Sequence, residues 1–160
     1  YRRGLSYYEM APSDFFIMPP AHERDLAAMR DARVAFQSFF ANFKDSPWRE
    51  RAVEIFGEVE NALVRHEIYV AGFYLSRDDR NAASVRLEGI QNEYPDSTLV
   101  PDAMFMQAVT FLEMDEVDEA KRVFGAIIKH YPDHHQSKRA LKYLRYLEQK
   151  AGKSKRGENG

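Results

Sequence analysis

The chain has 160 residues, with 23 Lys and Arg against 25 Asp and Glu and no cysteine. A net charge of −2 lacks the basic footprint of a dedicated nucleic-acid binder, and the missing thiols exclude disulfide frameworks, Cys-ligated zinc, iron–sulfur clusters and thiol nucleophiles while leaving the compartment open. One domain of this length buries roughly 70% of its unfolded surface if compact, and no run of about eighteen apolar residues reads as a membrane span.

Residues 1–10, YRRGLSYYEM, read as the end of a helix, and no signal peptide is visible. Tyr1 falls inside that helical pattern, so the chain is expected to begin in mid-repeat as a piece of a longer protein. The following APSDFFIMPPAHERD holds three of the seven prolines and an apolar tip of Phe15, Phe16, Ile17 and Met18. That tip either tucks against the body or docks on a partner. A helix is expected over about 25–43, with Ala32, Phe36, Phe39 and Phe43 on one face. Gly4 and Tyr7 supply the first-helix pair of a repeat and Ala32, Phe36 and Phe39 the second-helix triplet, separated by about sixteen extra residues. Residues 1–44 are thus an incomplete, loop-split repeat.

Ser46-Pro47 reads as an N-cap followed by proline at the first helical position, where its missing N–H costs nothing. From Trp48 to about Ser76 the only breaker is Gly57. Ala52, Phe56, Val59, Leu63, His66, Val70 and Phe73 recur at spacings of three and four, so a single long helix with one inward side is expected. Counting from Val64, Ala71 falls at position 8, Tyr74 at 11, Ala83 at 20, Leu87 at 24, Ile90 at 27 and Pro95 at 32. This is tetratricopeptide spacing. Small residues at 8 and 20 let two helices approach closely, an aromatic at 11 fills the space beside them, and the proline ends the second helix. Counting from Pro101 puts Ala108, Phe111, Ala120, Phe124, Ile127 and Pro132 at the same six positions. Ala140 and Tyr143 begin a further unit that never receives its second helix. The expected architecture is therefore an all-α tetratricopeptide solenoid of antiparallel helix pairs. It has a long spine helix and central repeat over 45–95, a repeat over 96–132, a capping helix over 133–150 and a flexible basic tail over 151–160.

Catalytic groupings fail to assemble. His66-Glu67 begins the HExxH pattern of zinc proteases, but residue 70 is Val, so the second ligand is missing. Pro132 separates His130 from His134 and His135, and no carboxylate shares a helical face with two of them, so these histidines read as structural or exposed. Glu58 and Glu60 point different ways on one helix and form no acid/base dyad. Nothing nominates an enzyme, a metal or a cofactor. Binding is what remains, and the first-helix positions that line the concave side of such solenoids include Ile68, Phe105, Val109 and Leu112. These apolar residues either pack on the adjacent helix or form a groove for a peptide. From Lys138 onward eight basic residues face two acids, a solvated tail or a contact for an anionic surface.

The strings HEIYVAGFY and AASVRLEGIQNEYPDS, with DARVAFQSFFANFKDSPW before them, resemble the BamD (YfiO) family of outer-membrane β-barrel assembly lipoproteins. Generic tetratricopeptide proteins share the Ala/Tyr/Pro skeleton but not the HE-x-x-VA-x-FY or R-x-EG-x4-YP strings. The resemblance implies a non-enzymatic scaffold on the periplasmic side of the outer membrane, lipid-anchored through an N-terminal cysteine that is not among these residues. The implied partners are a BamA-like barrel subunit, met through its POTRA region, other assembly lipoproteins, and unfolded outer-membrane proteins received by upstream repeats. The arginine of the R-x-EG string, Arg86 here, is the one implicated in pairing with an acidic partner residue, two positions before Glu88. Tyr94 and Asp96 are expected as rim contacts beside it. The competing reading is a generic tetratricopeptide adaptor, periplasmic or cytosolic, that holds a peptide in its concave groove.

Overall fold

The computed structural model describes residues 26–157, with side chains through residue 151. The Phe15–Met18 tip and the split-repeat pair Gly4 and Tyr7 lie outside the described residues. Six helices follow in order: α1 (Ala27–Asn42), α2 (Arg49–Ser76), α3 (Arg80–Glu93), α4 (Val100–Glu113), α5 (Val117–His130) and α6 (His135–Gly157). There is no strand among the described residues. Each helix packs on the next, and α4 also touches α6. That is the neighbour-only packing of a helical solenoid, so the all-α repeat architecture read from spacing is the one observed.

The repeat positions explain the packing. Ala71, Ala83, Ala108, Ala120 and Ala140 have no exposed surface at all. Each sits where a larger side chain would push two helices apart. Leu87 and Ile90 in the central repeat, and Phe124 and Ile127 in the next, fill the space so created. The aromatic stack of Phe124 on Tyr143, with ring centroids 5.1 Å apart, carries this core into α6. The two repeats also turn alike: Asp78 and Asp115 both take positive φ, 65° and 60°, just past the first helix. Both second helices then end one residue before a tyrosine cap, Tyr94 or Tyr131, with the proline directly after it.

Several boundaries and faces differ from the sequence-based expectation. The spine helix starts at Arg49, not at Pro47. The Ser46 hydroxyl accepts from Trp48 N–H at 3.3 Å and the Ser46 carbonyl from Arg49 N–H at 3.0 Å, so the serine closes a turn ahead of the helix rather than capping it. Phe43 lies past the end of α1 and is exposed, stacked on Phe39. Along the spine, Phe73 points outward, and Glu60, Val64 and Ala71 take over the buried line. A strict seven-residue spacing drifts about 20° per heptad around a 3.6-residue helix, and α2 changes neighbours along its length. Phe56 meets Phe40 of α1 at 5.4 Å, whereas Glu67 faces α3. At the other end α6 continues to Gly157, into the stretch expected to be a flexible tail.

Enlarging a closed alanine position tests this packing. Ala108→Leu is expected to lower unfolding stability by about 1–3 kcal/mol, while Val85→Ala on the exposed side of α3 stays within about 0.5 kcal/mol. Urea titration followed by circular dichroism measures both.

Candidate partner-docking surface

The face formed by α2 and α3 carries the best-defined polar geometry near the R-x-EG string. Arg86 projects from α3 and donates through Nη1 to Glu67 Oε2 on α2 at 3.1 Å. The arginine side chain is 48% exposed and the glutamate 16%. Glu67 thereby fixes the guanidinium at the mouth of an open pocket of about 420 Å³, lined by Glu67, Val85, Arg86, Gly89, Glu93 and Tyr94. A half-exposed, pre-positioned guanidinium beside an open pocket suits recognition of a carboxylate on another molecule.

The expected contact residues do not all share this face. Tyr94 is only 6% exposed. It forms the pocket floor rather than a rim, with the Arg33 guanidinium 4.8 Å from its ring centroid. Burial first, then the neighbouring Glu93 and Glu67, pushes its phenol pKa up. Glu88 follows Arg86 by two residues, which on a helix turns it to the other side. There it borders a smaller cleft with Gln91, Gln107 and Arg122 between α3, α4 and α5. Asp96 is exposed in the α3–α4 turn. Within the apolar set, Phe105 is buried against Phe124 and Tyr143, with the Arg139 guanidinium 4.1 Å from its ring centroid. Ile68, Val109 and Leu112 are half-buried and pack against the core. These four residues serve helix-to-helix packing more than an open groove.

Spacing did not reveal the polar anchors beneath this surface. Arg33 of α1 donates through Nε to Glu60 Oε1 at 3.1 Å and through Nη2 to the Glu93 carbonyl at the end of α3. Glu60 is 2% exposed and its Oε2 has no hydrogen-bond partner among the described residues. Burial pushes its carboxyl pKa up despite the Arg33 hydrogen bond, which acts the other way. One residue on, Asn61 Oδ1 accepts from Ser97 Oγ at 2.7 Å and from Thr98 N–H at 3.1 Å, pinning the α3–α4 turn to the spine. Glu60 and Asn61 fall outside the inward line read from the spacing, so no sequence signal pointed to them.

This is a helical-repeat protein that holds a half-exposed arginine beside an open pocket. A family model described as "YfiO: Outer membrane lipoprotein" matches residues 1–124, and the chain belongs to that family. Among curated relatives, the outer membrane protein assembly factor BamD of Pasteurella multocida is 28% identical over 104 residues, 65% of this chain and 40% of the relative. The protein of the same name from Haemophilus influenzae is 31% identical over 101 residues, 63% of this chain and 38% of the relative. That from Vibrio cholerae is 25% identical over 125 residues, 76% and 52% respectively. The chain thus spans between about two-fifths and a half of the length of the relatives it matches. All three are named outer membrane protein assembly factors. No helix among the described residues is long and apolar enough to cross a membrane.

Removing Arg33 leaves a buried carboxylate without its cation. Arg33→Leu is expected to cost about 2–4 kcal/mol near neutral pH, at the lower end for such pairs because the arginine is partly exposed. A folded-state pKa above the usual 4.5 means that ionised Glu60 works against the fold and protonated Glu60 does not. The Arg33→Leu deficit therefore shrinks as pH falls through the raised pKa toward 4.5. Urea midpoints across that range, with Glu60→Gln as the pH-insensitive reference, provide the measurement.

Proposed function

We propose that this chain is a scaffold portion of the outer-membrane β-barrel assembly machinery. It docks on the periplasmic POTRA region of the barrel-forming subunit and supports insertion of outer-membrane proteins. The observation that carries the reading is membership of the outer membrane lipoprotein family over residues 1–124, with relatives named for outer membrane protein assembly. The geometry supports a docking role for the α2–α3 face: Arg86 is held by Glu67 at an open pocket, ready to share its charge with a partner carboxylate. Asp96 in the adjoining turn extends the contact to the side, and Glu88, on the other side of α3 beside the smaller cleft, offers a separate contact. Tyr94 acts from below by shaping the pocket floor. In this reading the protein works on the periplasmic face of the outer membrane, anchored through a lipid-bearing cysteine outside these residues. Other assembly lipoproteins share the same complex, and unfolded outer-membrane proteins are received by repeats beyond this chain.

The experiment is capture of the isolated periplasmic domains of the source organism's barrel subunit by this chain. Arg86→Glu is expected to weaken binding at least about tenfold, near 1.4 kcal/mol, with its helical signal intact. The double variant Glu67→Arg/Arg86→Glu rebuilds the internal ion pair with its charges exchanged. It should bind as poorly as Arg86→Glu if the arginine meets the partner directly; restored binding would reduce the pair to a structural role. Absence of binding by the folded wild-type chain would sink the docking reading.

A further inference from the structure

Between α4 and the start of α6, three ligand-type side chains converge. Asp102 lies in the first turn of α4, His134 in the bend before α6, and His135 at the first residue of α6. Because His134 precedes the helix, its ring escapes the 100° offset that would separate neighbours on one helix, and the two imidazoles lie side by side with centroids 4.3 Å apart. Both present Nε2 to the same carboxylate: His135 Nε2 is 3.3 Å from Asp102 Oδ1 and His134 Nε2 is 3.8 Å from Asp102 Oδ2. One ligand atom from each residue fits within a span of 4.8 Å.

We propose that Asp102, His134 and His135 form a binding site for a divalent transition-metal cation, with Zn²⁺ the best fit to a donor set of two imidazoles and one carboxylate. Ligand atoms held at about 2.0–2.1 Å from zinc in a tetrahedron stand about 3.3 Å apart; His135 Nε2 already lies 3.3 Å from Asp102 Oδ1, while His134 Nε2 lies 3.8 Å from the other oxygen, Oδ2. The ligand atoms, now within 4.8 Å of one another, draw together by small side-chain rotations, for which the 65% exposed His135 ring has room. The fourth position opens to solvent and takes water. Surrounding groups already orient the carboxylate. Gln136 Nε2 donates to Asp102 Oδ1 at 2.7 Å, and Arg139 Nη1 donates to Gln136 Oε1 at 3.0 Å, so the carboxylate is aimed before any metal arrives. Gln136 N–H also donates to His134 Nδ1 at 3.3 Å. Coordination through Nε2 places the imidazole proton on Nδ1, so this long contact opens as the metal bond forms. A bound ion cross-links α4 and α6 and clamps the final helix to the repeat beneath it. Both histidines lie beyond residue 124, where the family match ends, so the site is read from this chain's own geometry and stands apart from the docking proposal.

The test uses the metal-free 160-residue chain, titrated calorimetrically with Zn²⁺ and, in parallel, with Co²⁺ while recording the visible absorption that marks a four-coordinate ion. One saturable ion per chain is expected, with a rise in Tm on zinc addition. His135→Gln, His134→Gln and Asp102→Asn should each weaken uptake at least about tenfold and abolish the cobalt band, whereas His66→Gln and His130→Gln bind as wild type. His135→Gln carries the decision should either other variant lose helical signal, since its exposed ring contributes least to folding. Failure to saturate, several weak ions per chain, or zinc affinity unchanged in His135→Gln would each overturn the site.

Discussion

Close approach of successive helices, set by alanines that cannot be enlarged, is the constraint on which the rest of this protein rests. Ala71 and Ala83 occupy equivalent positions in the central repeat to those of Ala108 and Ala120 in the next, and all four are fully closed. Alanine contributes little hydrophobic burial of its own. Its value is that the side chains around it, Leu87, Ile90, Phe124 and Ile127, reach full burial only when the backbones lie that near. No helix pair covers its own apolar face, so each repeat depends on the next, and α6 continues the stack by placing Tyr143 against Phe105 and Phe124, with Ala140 fully buried. The aromatic group of Phe36, Phe40 and Phe56 joins α1 to the first half of the spine.

Apolar contacts of this kind tolerate sliding, and the buried polar links limit it. Arg33 reaches from α1 to Glu60 in α2 and to the end of α3 at Glu93, so one guanidinium fixes three helices relative to one another. Asn61 does the same for the α3–α4 turn through Ser97 and Thr98. A buried ion pair adds little net stability compared with apolar residues of the same volume. Its strong distance dependence instead makes any other register of the spine costly. The extra length of α2 therefore has a physical use: it carries these anchors between the two halves of the structure.

The same scaffold displays two polar constellations at different places. Glu67 and Arg86 belong to successive helices of one repeat and meet beside a pocket whose floor is Tyr94. Asp102 and the His134/His135 pair belong to the first helix of one repeat and to the start of α6. In both cases a charged group is held by a neighbour yet stays accessible, the arrangement expected where a surface meets something beyond the chain. Membership of the outer membrane lipoprotein family gives the first constellation its context, while the second has Asp102 inside the matched stretch and both histidines beyond it.

The repeat was legible because its determinants are local and periodic. Alanine at positions 8 and 20 and proline at 32, found twice over, specify two helices and a turn wherever they occur. The resemblance that singled out Arg86 was also carried by contiguous strings. Tertiary structure alone decided which way the long helix faces at each end, because a pattern of threes and fours cannot say when its neighbour changes, and Phe73 turned outward where Ala71 turned in. It also decided that Tyr94 is a floor and Phe105 a core residue, since burial depends on what packs from another helix. Glu60 with Arg33, Arg86 with Glu67 and Asp102 with His135 are pairs separated by 27, 19 and 33 residues. The periodicity of a single helix carries no information about such pairs; the angle and spacing at which helices cross create them.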